Sequence, residues 1–283
     1  MKRLATLLSG LFCAVVVTCC TASAQAADFQ YPLAVAAGPD GAIYVADKDA
    51  HGIWKIAGGK LTSFYTGSNK FRTPLNAVRC VAVDAKGRVL AGDSSTREVY
   101  RFTADGKPEP LTKGGIGIPM AIAFNSKGEI LVCDLEIHQI VKVPEDGGEP
   151  VRVIDVARPS GIVVDSQDRV WVVDSSGKNQ IIRILAEGNT EPAIEGKPFG
   201  FPHNIALDKE QNAYVCDNYS GAVWKVPVGG KAEKWLEGKP LVKPVGITFT
   251  GEKLLIADPH AKQIFEATLD GKIAPVPFEP AAK

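Results

Sequence analysis

The chain has 283 residues, with 32 basic and 32 acidic side chains. That balance excludes a general affinity for nucleic acid or for anionic membrane surfaces. Its longest apolar run, Leu4 to Thr18, is shorter than the roughly 20 residues a spanning helix needs, which excludes a membrane span.

Lys2 and Arg3 precede that run and Ala24-Gln25-Ala26 follows it. A basic start, a short apolar core and an A-x-A site read as a secretory signal peptide over residues 1–26. Cleavage beside Ala26/Ala27 predicts an exported protein, periplasmic or secreted, with 30 basic against 32 acidic residues. Cys80, Cys133 and Cys216 stay in the mature chain. An odd number leaves at least one free thiol or an intermolecular bond, and a disulfide between Cys80 and Cys133, in neighbouring repeats, stays open.

From here one phrase recurs six times: a small apolar run, a polar turn, a second apolar run and an aspartate. The aspartates are Asp47, Asp93, Asp134, Asp174, Asp217 and Asp258, spaced 46, 41, 40, 43 and 41 residues apart. A near-constant period of this size marks a repeat array. The first run, such as Arg79-Cys80-Val81-Ala82-Val83, predicts a buried inner strand. Pairs such as Asp40-Gly41 and Lys86-Gly87 supply the positive φ of tight hairpins. The second run ends at the aspartate. A third strand such as Ile53-Trp54-Lys55-Ile56 and a weaker fourth, such as Leu61-Thr62-Ser63-Phe64, complete the unit. Four antiparallel strands in six units, without a helical period, predict an all-β six-bladed propeller. It forms a single domain over 28–283, with blades at about 32–67, 74–115, 117–155, 157–197, 200–238 and 242–279. The third-strand bases Lys55, Arg101, Lys142, Arg183 and Lys225 read as outward edge charges.

The pattern Pro-x-Gly-Ile-x-Val-Asp, Val-x-Asp, Ile-x-Lys/Arg-Val resembles NHL-repeat propellers. It is also similar to the gluconolactonase-type, virginiamycin B lyase-type and strictosidine synthase-like propellers. The resemblance implies the same fold over nearly the whole mature chain and leaves activity open, because propellers host many functions. It also implies a divalent metal, Ca or Zn, held by carboxylate and amide side chains near the channel mouth.

Strand direction puts the loops after the aspartates and the connections between blades on one face, here the loop face; the glycine turns lie on the other, the turn face. Variable loops on a rigid scaffold are where function concentrates. The six aspartates read as braces for backbone amides. His51, His138, His203 and His260 all fall on the loop face and are the candidate metal ligands, zinc needing three or four such groups converging. One residue per inner strand projects at the mouth: Leu33, Arg79, Met120, Ser160, His203 and Val245. This ring lacks Asp, Glu and Asn. It points instead to an anion-binding pocket, with Arg79 facing His203 across the mouth and Asn204, Asp217, Asn218 and Tyr219 beside it. Two functions stay open. One, read from the residues, is a binding module for a small, anionic molecule or a protein partner at the loop face. The alternative, which the resemblance implies, is a metal-assisted hydrolase, lactonase or lyase, with His138, Glu136 and His203 as its catalytic candidates.

Overall fold

The computed structural model describes residues 29–185 and 188–279; the leader and cleavage site expected from the sequence, and Cys13, Cys19 and Cys20, lie outside them. The described residues form a six-bladed β-propeller with four antiparallel strands in each blade. Every sheet is contiguous in sequence, ordered as β1-β2-β3-β4 and its equivalents. The inner strands are β1 (Pro32–Ala37), β5 (Val78–Val83), β9 (Pro119–Phe124), β13 (Pro159–Val164), β17 (Pro202–Leu207) and β21 (Gly246–Phe249). Each lies against the next, and β21 lies against β1, so the sheets close a ring. Blades two and five therefore face each other across it. No helix among the described residues is long and apolar enough to cross a membrane.

Both faces of the inner sheets are covered by neighbouring blades, which is why the sequence shows near-continuous apolar runs instead of alternation. The second strands β6 (Val89–Asp93), β10 (Ile130–Asp134) and β18 (Ala213–Asp217) are buried at every position. Small residues near the axis are a steric demand: a Cβ on Gly161 would come within 2.8 Å of the Asn204 Cα. Cys80, Cys133 and Cys216 are buried free thiols in these packed layers, so Cys80 and Cys133 are not bonded to each other. The Cys80 thiol donates to the Pro119 carbonyl at 3.4 Å, and burial pushes it up to about 12, the mark of an inert structural thiol.

Turns on the turn face close on their own side chains. Asp84 accepts from Lys86 N at 2.9 Å and Arg88 N at 2.8 Å; Asp165 does the same for Gln167 and Arg169. Third-strand bases are not at the sheet edge, since a fourth strand covers them. Lys55 and Lys225 instead lie over the rings of Tyr44 and Tyr214, and Lys142 pairs with Glu129. The ring is sealed by residues 276–279. Leu61 N donates to Glu279 O at 3.0 Å and Glu279 N to Gly59 O at 2.7 Å. The rings of Phe278 and Phe29 meet edge to face at 5.6 Å.

Candidate functional site at the channel mouth

Each repeat aspartate is buried and ties the connection entering its blade to the loop leaving its second strand. Asp134 accepts from Gly117 N at 2.7 Å, Ile118 N at 3.0 Å and Glu136 N at 3.0 Å. Asp258 accepts from Val242 N, Lys243 N, His260 N and Ala261 N. Asp217 takes Gly200 N, Phe201 N, Ser220 N and the Trp224 indole. Burial alone would raise the Asp217 pKa, but the donors from Phe201, Ser220 and Gly200 outweigh it and hold the carboxyl below its usual range. These oxygens are committed to the backbone.

Four residues past the aspartate the chain adopts positive φ in five blades: His51, Arg97, His138, Gly221 and Lys262. His51 and His138 thus stand at left-handed turn positions. Their Nδ1 atoms meet the carbonyls of Asn76 and Ala157, each at 2.7 Å, on the approach to the next blade. Glu136, exposed beside His138, is held by Arg97 Nη1 at 2.6 and 2.8 Å. His260 is exposed, its ring edge-on to Tyr31 at 6.0 Å.

The mouth ring has a structural origin. Register breaks leave Leu33, Arg79, Met120, Ser160 and His203 unpaired in their inner strands. A bulge bends the strand and re-aims one side chain, so five blades present one residue each at the mouth. Arg79 Nε donates to Ser94 Oγ at 3.1 Å. His203 is half-buried. Desolvation, followed by the charges of Arg79 and Arg158, lowers its pKa to about 4, so the imidazole is neutral at physiological pH. Arg158 lies 5.1 Å over the Phe201 ring, which in turn stands edge-on to His203 at 6.5 Å. Asn204 Oδ1 accepts from Ile205 N at 2.8 Å, and its side chain lines the central channel below. Of the residues named from sequence, the mouth therefore brings together Arg79, His203 and Asn204. Asp217 is turned into the backbone, Asn218 is half-buried, and Tyr219 is exposed on the surface. Arg158 was not among the sequence candidates; a second base immediately before an inner-strand proline was the available signal.

The channel, about 290 Å³, is walled mainly by Ala, Val and Ile, with Asn204 and Thr248 as its polar side chains. Among the described residues no three His, Cys, Asp or Glu side chains cluster to hold a metal ion. Calcium takes six to eight oxygens and zinc three or four converging ligands. The donors at this mouth, two guanidinium groups, an imidazole and an amide, do not fit either ion.

Residues 15–216 match the SMP-30/Gluconolactonase/LRE-like region. Among solved structures, the chain is similar to virginiamycin B lyase from Staphylococcus aureus, at 19% identity and TM-score 0.66 over 89% of this chain and 86% of that one. It is also similar to a gluconolactonase from Xanthomonas campestris, at 14% identity and TM-score 0.71 over 88% and 87%. At these identities the likeness shows the fold. An 83-residue stretch is 31% identical to the human (Homo sapiens) E3 ubiquitin-protein ligase TRIM32, covering 29% of this chain and 12% of that protein. The match thus spans about an eighth of that curated relative.

Proposed function

The chain belongs to the SMP-30/gluconolactonase/LRE-like family, and on that premise we propose that it is a hydrolase or lyase acting at the loop-face mouth on a small, oxygen-rich or anionic substrate. The observation that carries this reading is the pair of bulges that turn Arg79 and His203 toward the mouth, with Arg158 over the Phe201 ring that stands beside His203; burial and the two guanidinium groups hold the imidazole pKa low. Such a mouth orients a carbonyl or carboxylate through Arg79 and the Asn204 amide, and leaves His203 free to take a proton from an attacking water or an acidic carbon. The gluconolactonase and lyase neighbours support lactone opening and elimination as the two reactions to try first. Export beside Ala26/Ala27 belongs to the same proposal and places the reaction outside the cytoplasm.

The test is turnover of a panel of sugar lactones, esters and cyclic depsipeptides by wild type, Arg79→Ala and His203→Ala. A general base contributes roughly 10²–10⁴-fold. His203→Ala is expected to lose at least about 100-fold in kcat/KM, and the wild-type rate to hold steady from neutrality down to about pH 5 and fall as His203 gains a proton near pH 4. Saturable binding of organic acids without turnover would return the binding module as the better reading. Equal affinities for wild type and Arg79→Ala would remove Arg79 from the site.

A further inference from the structure

Away from the mouth, on the turn-face side, a cleft of about 640 Å³ separates blades four and five, a volume within the range of small-molecule sites. Its origin lies in one repeated position. The outer strands β4 (Lys60–Thr66), β12 (Val151–Asp155), β16 (Thr190–Ile194) and β20 (Glu233–Glu237) each carry a bulged residue. Register breaks identify these as Phe64, Val153, Ala193 and Trp235.

In blades one and five the bulged residue is an aromatic plug. Phe64 stands edge-on to Tyr44 at 5.1 Å and to Phe102 of blade two at 5.1 Å. Trp235 stands edge-on to Tyr214 at 4.9 Å and joins the core shared with blade six. Blade four has the same surroundings. Trp171 occupies the position of Tyr44 and Tyr214, three residues before the blade aspartate, and Arg183 lies over its ring at 5.2 Å as the lysines do over the tyrosines. The plug, however, is Ala193, and the cleft opens where the ring is missing, lined by Trp171, Arg183 and Ala193 on one side and the turn after Val226 on the other.

Arg183 adds a polar anchor. Its Nη2 pairs with Glu191 at 2.8 Å, while its buried Nε has no hydrogen-bond partner among the described residues. A buried donor without a partner is costly. Lys231 and Glu195 also line the cleft.

We propose that this cleft is a second ligand site, which takes a planar aromatic group in the place of the missing plug, edge-on to Trp171, and a carboxylate on that ligand at Arg183. The fold supplies the specificity argument twice over: in blades one and five it fills the same space with an aromatic ring.

The probe is 2-naphthoate, with 2-naphthylmethanol as its neutral analogue, titrated by calorimetry and by quenching of tryptophan fluorescence. Wild type is expected to bind 2-naphthoate saturably. Ala193→Trp restores the plug and is expected to weaken binding about tenfold or more while raising Tm. Arg183→Gln is expected to weaken the carboxylate and leave the alcohol unchanged. Ala193→Trp is expected to leave turnover at the mouth unchanged while 2-naphthoate binding weakens, which separates this cleft from the mouth and its failure from failure of the proposed chemistry there. No saturation by wild type at millimolar probe, or equal affinities in wild type and Ala193→Trp, overturns the proposal. If Ala193→Trp does not fold, Ala193→Leu makes the same comparison with a smaller filler.

Discussion

On the turn face a carboxylate braces the turn that carries it, as Asp84 does for the amides of Lys86 and Arg88. On the loop face a carboxylate ties together segments far apart in sequence, as Asp134 does for Gly117, Ile118 and Glu136. The first device shapes a hairpin, and many sequences with turn residues would do as well. The second fixes where one blade begins relative to where its second strand ends, so the bulged residues beside it sit on a rigid rim. At the loop-face mouth that bracing stands beside side chains left over for a ligand, Arg79 and His203, and the candidate site lies there.

The largest way to break this contrast is Asp134→Ala. Three amides lose their acceptor in a buried setting, and a stability loss of about 3–5 kcal/mol is expected in denaturant unfolding. A loss under about 1 kcal/mol would mean that the loop-face braces are as local in effect as the turns. Next in size is the pH response of the mouth. Because the folded pKa of His203 is lowered to about 4, the unfolded chain binds the proton first. The contribution is full above the unfolded value of about 6.5 and is lost as pH falls toward 4. With water reaching the mouth, it is expected to be about 1–2 kcal/mol. Unfolding free energies of wild type and His203→Gln between pH 7 and pH 4.5 check it; parallel curves would remove His203 as the cause. Below about pH 4 the lowered carboxyls of Asp217 and Asp165 weaken both faces together, so the contrast is read above that range. The smallest effect expected is Asp40→Ala on the turn face, which removes one acceptor for Ala42 N at 3.1 Å and should cost about 0.5–1 kcal/mol.

The six-blade architecture was legible because burial on both faces of the inner sheets forces the same small, β-branched run at each period. The mouth ring was legible for a related reason: Arg79 and His203 interrupt that run at a fixed phase, and the phase is the bulge. Arg158 escaped because it belongs to a connection, where no period applies. The plug position escaped for another reason. The fourth strands share little sequence, from Leu61-Thr62-Ser63-Phe64 to Pro192-Ala193-Ile194, and a bulge there is visible only in the pairing with the third strand. His51 and His138 look like ligands in sequence because histidine is rare in this chain. Their positive φ and shared carbonyl contacts give both the same role in the loop.

The seam sealed by residues 276–279 has a consequence for how the ring opens. Every sheet is made from one stretch of chain, so five of the six blade junctions carry a peptide tether that holds the neighbours at high effective concentration. Blades six and one have none; they meet through a shared core that includes Val35, Val45, Leu255 and Ile264, the Phe29–Phe278 contact and the pairing of Glu279 with Gly59 and Leu61. Opening of the ring is therefore expected to start at that junction, and a circular permutant that joins these ends and cuts between two other blades tests this by moving the untethered junction while leaving all six sheets whole.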